Sequence, residues 1–522
     1  MQRHFLNQVS SLLAVGLIAA LSSVACSSGS TATPPGSGGT VGSGTGGTVS
    51  GTGGAGTGGS NVTGSGGDAT GSGGQGSGGS GDASVDMGGG SGGAVAMAPA
   101  CAPTTQTSTG GLSIRRNDIN ARKVMNAPAA DLTKIEYDPM NKVIVAMSKS
   151  GKFWKIDPVA NTATPIETNY NFAGDHRGLA FAADGTMYVL SATDNPISAT
   201  LRKGVGAMGS RTWSTLASTA SFPMGNGTFD HNFSGLAVSP DGKYVFFSSG
   251  SRSDHGEVEM GVREVPLSSA IFRVPTDAVS TLPNDDAMLK AKGYMFADGT
   301  RNAFDMAFNA DGDLIATDNG PDISFPDEVN WIQEGKHYGF PWRLGTDKNP
   351  NMDPTYTPDN DNRLPPGGSY QAVGSHTYFY EPGFPPAPTG VAFTDPIINH
   401  GPDANKFMTG GKAGTIQQGT MAGVTPHRSP LGIAFDKGSL CGDYYKAGFM
   451  LSYGAVLDLF NDHGEDLLLL KLTKNGDAYE MTATQIAAGI KQVMDDVLVG
   501  NKLYTVGWMG GSIYEFTFPL PK

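Results

Sequence analysis

The sequence predicts an all-β fold, a six-bladed β-propeller, with seven blades as the alternative count. Three observations lead there. One short phrase recurs through roughly the last 420 residues, as a radial repeat architecture requires. Each copy is two β-rich runs around a turn built on Asp, Gly or Asn. Long helical periodicity is nearly absent.

The copies follow in order. GLAFAADGTMYVL begins at Gly178, GLAVSPDGKYVFF at Gly235 and DMAFNADGDLIAT at Asp305. LGIAFDKGSLCGDYYKAGFMLSYG begins at Leu431. Looser copies are KIEYDPMNKVIVAM from Lys134 and DVLVGNKLYTVGW from Asp496. In each, an apolar or alternating run, a turn and a Val/Tyr/Ile/Phe-rich run read as strand, turn, strand. TGVAFTDP, from Thr389, resembles a further copy and carries the seven-blade alternative. The longest gap between copies holds DKNPNMDPTYTPDNDNRLPPGGSY, whose Pro, Asp and Asn content predicts a long surface insertion. The terminal SIYEFTF is placed to complete a blade shared with the start of the domain, closing the ring.

The repeats do not begin at residue 1. MQRHFLNQVSSLLAVGLIAALSSVAC has a weakly basic start and an apolar run, Leu12 to Leu21, too short to span a bilayer. Small residues lead up to Ala25-Cys26, the layout of an export signal. Small residues directly before a cysteine resemble a bacterial lipobox, in which Cys26 is acylated and becomes the new N-terminus. Leu usually stands three residues before that cysteine, and here it is Ser23. Cleavage at a nearby bond without acylation is the alternative. The expectation is an exported protein, lipid-anchored to a bacterial membrane through Cys26, at the outer membrane or cell surface or in the periplasm. Residues 27–100 are almost all Gly, Ser, Thr and Ala and cannot offset their ordering entropy, so they read as a disordered linker. A random coil of that length reaches about 40 to 50 Å, enough to hold a domain off a membrane. Residues 101–522 form the propeller domain.

Charge narrows the partners. The chain has 35 Lys and Arg against 48 Asp and Glu, a formal charge of −13, without a basic cluster, which argues against nucleic acid. Of three cysteines, Cys101 and Cys441 remain after Cys26, and in an exported protein they are expected to pair.

In a propeller the residues before each inner strand gather at one end of the channel. Those positions read Asp175-His176-Arg177, Asp230-His231-Asn232, Arg301-Asn302, His427-Arg428, Asp495-Asp496 and Asp131. Three of the nine histidines fall on equivalent places. Convergent polar groups at a channel mouth predict a binding or catalytic pocket. Histidine can take a proton near neutral pH, arginine can stabilise developing negative charge, and asparagine can orient a carbonyl or hydroxyl. The alternative is that these groups satisfy backbone atoms and trapped water. After the Asp305 copy comes ATDNGPDISFPDEVNWIQEGKHYGFPW, where a Gly320-Pro321 turn with Asp327 and Glu328 offers carbonyl and carboxylate oxygens suited to calcium.

Three stretches are similar to the glucose/sorbosone dehydrogenase family, propellers that include soluble sugar dehydrogenases using pyrroloquinoline quinone (PQQ). They are DHNFSGLAVSPDGKYVFF, RNAFDMAFNADGDLIATDNGPDISFPDEVNWIQEGKHYGFPW and HRSPLGIAF. The resemblance covers about 175 to 345 and about 425 to 516. It implies that His231 is the base taking a proton from a sugar or polyol hydroxyl. It implies that Arg301 and Asn302 lie against the cofactor, with His176, Arg177, His427 and Arg428 also facing it. Carbonyls of Gly320 and Pro321 would hold a Ca2+ ion, and Glu328 with the carbonyl of Tyr338 a second one. The electron acceptor is not indicated.

The sequence also departs from that family. Where arginines should meet the cofactor's carboxylates, it reads KQVMDDV, with Asp495, Asp496 and only Lys491 nearby. LSYGAVLDLF offers no clear counterpart of an expected lysine, and Ser251 stands where an aspartate often supports the histidine. Two alternatives therefore stand beside the dehydrogenase. One is a non-catalytic propeller binding a carbohydrate or partner protein without PQQ. The other is a calcium-dependent lactonase or esterase, with Asp131, Asp495, Asp496 and Asn302 as axial ligands.

Overall fold

The computed structural model describes residues 97–225, 231–358, 361–364, 378–407, 416–454 and 464–522. The export signal, Cys26 and the linker up to residue 96 lie outside these residues, as does Asp230. No helix among the described residues is long and apolar enough to cross a membrane.

The fold is an all-β propeller. Its inner strands are β1 (Leu132–Asp138), β2 (Asp175–Phe181), β3 (Phe233–Val238), β4 (Ala303–Phe308), β5 (Pro430–Phe435) and β6 (Val493–Val499). Each pairs antiparallel with the next strand through the turn of one repeated phrase, as at Asp241-Gly242 between β3 and Tyr244–Ser249. Asp241 accepts from Lys243 N and from the Ser239 hydroxyl, and Gly242 takes a φ of +72°, which suits glycine. Alternation then decides what is buried. In Met187–Asp194 and Tyr244–Ser249 the runs are buried on both faces, as expected of strands sandwiched between sheets.

Around the ring, β1 packs on β2, β2 on β3, and so on until β6 returns to β1. An apolar cluster fills each gap. Met147 and Phe153 meet Leu179 and Val189; Leu190 and Leu201 meet Phe233, Phe247 and Phe272. Phe246 and Ile271 meet Met306 and Ile332; Ile315 and Val329 meet Ile433 and Met450. Phe449 and Leu467 meet Leu503 and Phe516; Val497 and Tyr504 meet Ile135 and Ile144.

Among the described residues five of the sheets in the ring are complete blades of four or more strands. The structure thus corrects the expected six, and the alternative seven, to five complete blades. Among the described residues the sheet begun by β4 has three strands, with Leu314–Asp318 and Glu328–Ile332. After Glu328–Ile332 the chain leaves the sheet for the long insertion instead of adding a fourth strand. Phe340, Leu344, Leu364 and Tyr378 of that excursion form a small core with Ile323 and Phe325 of the loop before Glu328–Ile332. TGVAFTDP forms no strand; Phe393 makes only an isolated bridge to His337.

The ring closes between distant parts of the chain. Asn120–Asn126 pairs with Ser512–Thr517 to complete the sheet begun by β6. The terminal SIYEFTF thus does complete a shared blade. Cys101 and Cys441 form the expected disulfide.

Candidate functional site

All six inner strands carry a β-bulge at the same level, at Leu132/Lys134, His176/Gly178, Ser234/Leu236, Ala303/Asp305, Pro430/Ile433 and Val493/Asp495. A bulge redirects the side chains around it. It separates a mouth layer, before the bulge, from an axial layer beyond it.

At the mouth the structure brings His231, Asn302 and Arg301 together. Gly250 lies between the first two: a Cβ there would stand 2.7 Å from Asn302 Oδ1 and 2.8 Å from His231 Cβ. His231 is partly exposed, and its Nδ1 lies 3.0 Å from Ser251 Oγ. Ser251 gives its single hydroxyl hydrogen to Ser253 O at 2.7 Å. The contact to His231 therefore needs Nδ1 as donor, which makes Nε2 the unprotonated nitrogen of the neutral ring.

Arg301 is held from three sides. Its Nε donates to Asp254 O at 2.7 Å, one terminal nitrogen to Asn319 O at 2.9 Å, and the other to Asp254 Oδ1 at 2.6 Å. Burial alone would lower its pKa, but the neighbouring Asp254 carboxylate outweighs that and raises it. Asp254 has no exposed surface and also accepts from the Tyr378 hydroxyl and from His255 Nδ1. Sequence reasoning missed Asp254. Its signal was a carboxylate three residues beyond Ser251, where the family pattern leads one to look for an aspartate.

Asp318, also missed, ends the second strand of its sheet and accepts from both Arg301 N (3.0 Å) and Asn302 N. Burial pushes its carboxyl up to about 6 against those hydrogen bonds. Its cross-strand partner is Glu328, pushed up to about 8 by burial and then by the charge of Asp318. Asp327, likewise pushed up to about 6 by burial, fixes the Gly320 turn: it accepts from Gly320 N at 2.6 Å and from Ser429 N at 3.0 Å. Arg301, Asp318, Gly320, Pro321 and Glu328 line a cavity of about 10 Å³, room for one water-sized occupant. Tyr338 does not line it; its hydroxyl ties Trp331 O to Gln333 N in the core. The carbonyl and carboxylate donors suit a hard cation such as Ca2+. Among the described residues no group of three or more His, Cys, Asp or Glu side chains is arranged to hold a metal.

The other histidines of the mouth are engaged. His176 has no exposed surface, with Nδ1 3.0 Å from Lys149 O and Nε2 2.9 Å from the Tyr170 hydroxyl; burial lowers its pKa. His427 Nε2 lies 2.9 Å from Ser324 Oγ, and burial pushes it down to about 4, so it is neutral.

The cations expected to meet an acidic cofactor already serve acids of this chain. Arg428 is fully buried and bonded to Asp466 at 2.7 Å, and Arg177 lies 3.5 Å from Asp175. Asp495 and Asp496 do not stand before an inner strand; they lie within β6, in the axial layer. There Lys134 crosses from β1 to Asp305 on β4, at 2.7 Å, and to Asp495, at 3.2 Å. The cations of the mouth are thus already paired, and the site does not fit a tricarboxylate such as PQQ.

Residues 173–395 match the glucose/sorbosone dehydrogenase family. The matched span holds His176, His231, Arg301, Asn302 and the Gly320-Pro321 turn. No curated protein sequence matches the chain. Among solved structures, a glucose dehydrogenase is similar at 13% identity, covering 76% of this chain and 98% of its own, with a TM-score of 0.50. The holo form of the pyranose dehydrogenase PQQ domain from Coprinopsis cinerea is similar at 11% identity, covering 79% and 98%, with a TM-score of 0.51. At such identities the likeness to these two is one of fold. The family match thus covers part of the chain, and the solved structures show that the domain shares the propeller fold of these dehydrogenases.

Proposed function

We propose that the domain oxidises a hydroxyl of a sugar or polyol, with His231 as the base. The observation that carries this is the hydrogen-bond direction at His231: Ser251 commits Nδ1 as donor, which makes Nε2 the acceptor nitrogen of the neutral ring, on a side chain whose Cβ stands across Gly250 from Asn302 Oδ1. A hydroxyl seated between them can give its proton to Nε2 while the Asn302 amide fixes its oxygen. Asp254 holds Arg301 in one orientation at the edge of that seat. Asp318, Glu328 and the Gly320-Pro321 turn would hold a Ca2+ ion beside it. The hydride leaving the carbinol carbon would pass to a redox acceptor of lower charge than PQQ, because the arginines that a tricarboxylate needs are already paired with acids of this chain.

Purified protein in calcium buffer, with and without PQQ, is assayed for reduction of an artificial dye by a panel of aldoses and polyols. His231→Ala should lower turnover about 10²- to 10⁴-fold and leave the melting temperature nearly unchanged. Sugar-dependent dye reduction that survives this substitution would overturn the base assignment.

The engagement of Arg428, Arg177 and Lys134 by internal acids specifically favours a second reading, a carbohydrate-binding propeller without PQQ. Sugar binding by calorimetry with no dye reduction under any condition selects it. Export and anchoring through Cys26 complete the proposal; incorporation of labelled palmitate, lost in Cys26→Ala, tests them.

A further inference from the structure

A second, larger cleft lies beside the candidate site. Its volume is about 560 Å³, inside the roughly 300–1,000 Å³ range of ligand clefts. It opens between the signature loop at Phe325-Pro326, the hairpin at Asp347-Lys348, the insertion at Tyr356 and Arg363, and Lys406. Pro326 lines this cleft and also the small cavity of Asp318 and Glu328. Ser324, in its wall, is the residue hydrogen-bonded to His427. The two spaces are neighbours.

The cleft chemistry is balanced. The carboxylates of Asp347, Asp353 and Asp361 face the cations Lys348, Arg363 and Lys406, so there is no net charge to select an ion. Asp361 and Arg363 are locked side by side by two contacts of 2.9 Å, and the guanidinium lies 4.3 Å over the Phe325 ring. Phe325, in the loop before Glu328–Ile332, belongs to the small apolar core it shares with the insertion, against which Tyr356 packs, so this wall is rigid. Phe325 is 1% exposed and covered by the guanidinium, so the cleft offers the half-buried Tyr356 as an aromatic surface; an aromatic beside fixed donors and acceptors matches a pyranose ring, which has an apolar face and a rim of hydroxyls.

We propose that this cleft binds the neighbouring units of a neutral oligosaccharide, so that the substrate is the end of a glycan chain rather than a free monosaccharide. This rests on the sugar-oxidising reading for the identity of the reacting end, and on the cleft alone for chain binding. The full chain is titrated by calorimetry with glucose, maltotetraose, cellotetraose and xylotetraose, and dye reduction is measured in parallel. At least one tetrasaccharide should bind about tenfold or more tighter than glucose. Tyr356→Ala should remove that gain without altering glucose binding, and Lys348→Met, a change on an exposed side chain, should reduce it. Equal affinity for glucose and every tetrasaccharide, or a gain that survives both substitutions, overturns the proposal. Tight tetrasaccharide binding without dye reduction upholds the cleft and removes the oxidation reading instead.

Discussion

The mouth layer and the axial layer are built from the same six strands, on either side of one ring of bulges, yet they use polar residues in opposite ways. At the mouth, His231 is partly exposed and bonded to a neutral serine. Beyond the bulge, Lys134 is 2% exposed and spans the channel to two carboxylates. Burial alone would lower the lysine's pKa; Asp305 and Asp495 outweigh it and keep it charged. The axial charges hold each other out of solvent, whereas His231 is partly exposed at the mouth. A polar residue on an inner strand is therefore no sign of a site until its partners are known.

The comparison can be broken from the axial side first. Lys134→Met leaves Asp305 and Asp495 buried without their cation and should cost about 3–5 kcal/mol, read as a large loss in the urea midpoint. A neutral result would mean that the axial acids are held protonated and the strut is dispensable. At the mouth, Gly250→Ala should act on activity before stability. The new Cβ must push Asn302 and His231 apart, and a displacement on the order of 1 Å costs about 10²-fold in rate. Unchanged turnover in Gly250→Ala would show that the two side chains do not act on one substrate atom.

The smallest effect, read over a single pH unit, is one of pH. Glu328 sits at about 8 in the folded protein against 4.5 when exposed, because of burial and then Asp318. Between those values the unfolded chain has released this proton and the folded one has kept it. Stability therefore falls as pH rises from about 4.5 to 8, with a slope of at most roughly 1.4 kcal/mol per pH unit from this group. Thermal melts in chelator should show that fall, and Glu328→Gln should flatten it. Glu136, pushed up to about 8 by burial and then by Asp305, should contribute a similar slope from the axial layer. Added calcium should flatten only the Glu328 part.

The repeated phrases were readable because strand alternation and Asp-Gly turns are local. GLAVSPDGKYVFF is an inner strand, its turn and its second strand, and the Cys101–Cys441 bridge followed from the cysteine count. What stayed hidden depends on contacts across the ring. Nothing near Lys134 in sequence points to Asp305, and nothing near Arg301 points to Asp254. Asp495 and Asp496 were placed too early because the last copy is loose and its bulge shifts the register. The missing fourth strand after Glu328–Ile332 was equally hidden, since an insertion rich in turn residues looks the same whether it interrupts a blade or follows one.

The pairing of Asn120–Asn126 with Ser512–Thr517 has a kinetic meaning. Until Ser512–Thr517 has formed, the growing ring has bare strand edges on both flanks, a template for association with other chains. Local hairpins can form early, but the last blade waits for two segments from far-apart regions to find each other, which makes closure the slow step. Folding of this domain should then be limited by a single distant encounter, and a chaperone that covers the Asn120–Asn126 edge would be the most useful help it could receive.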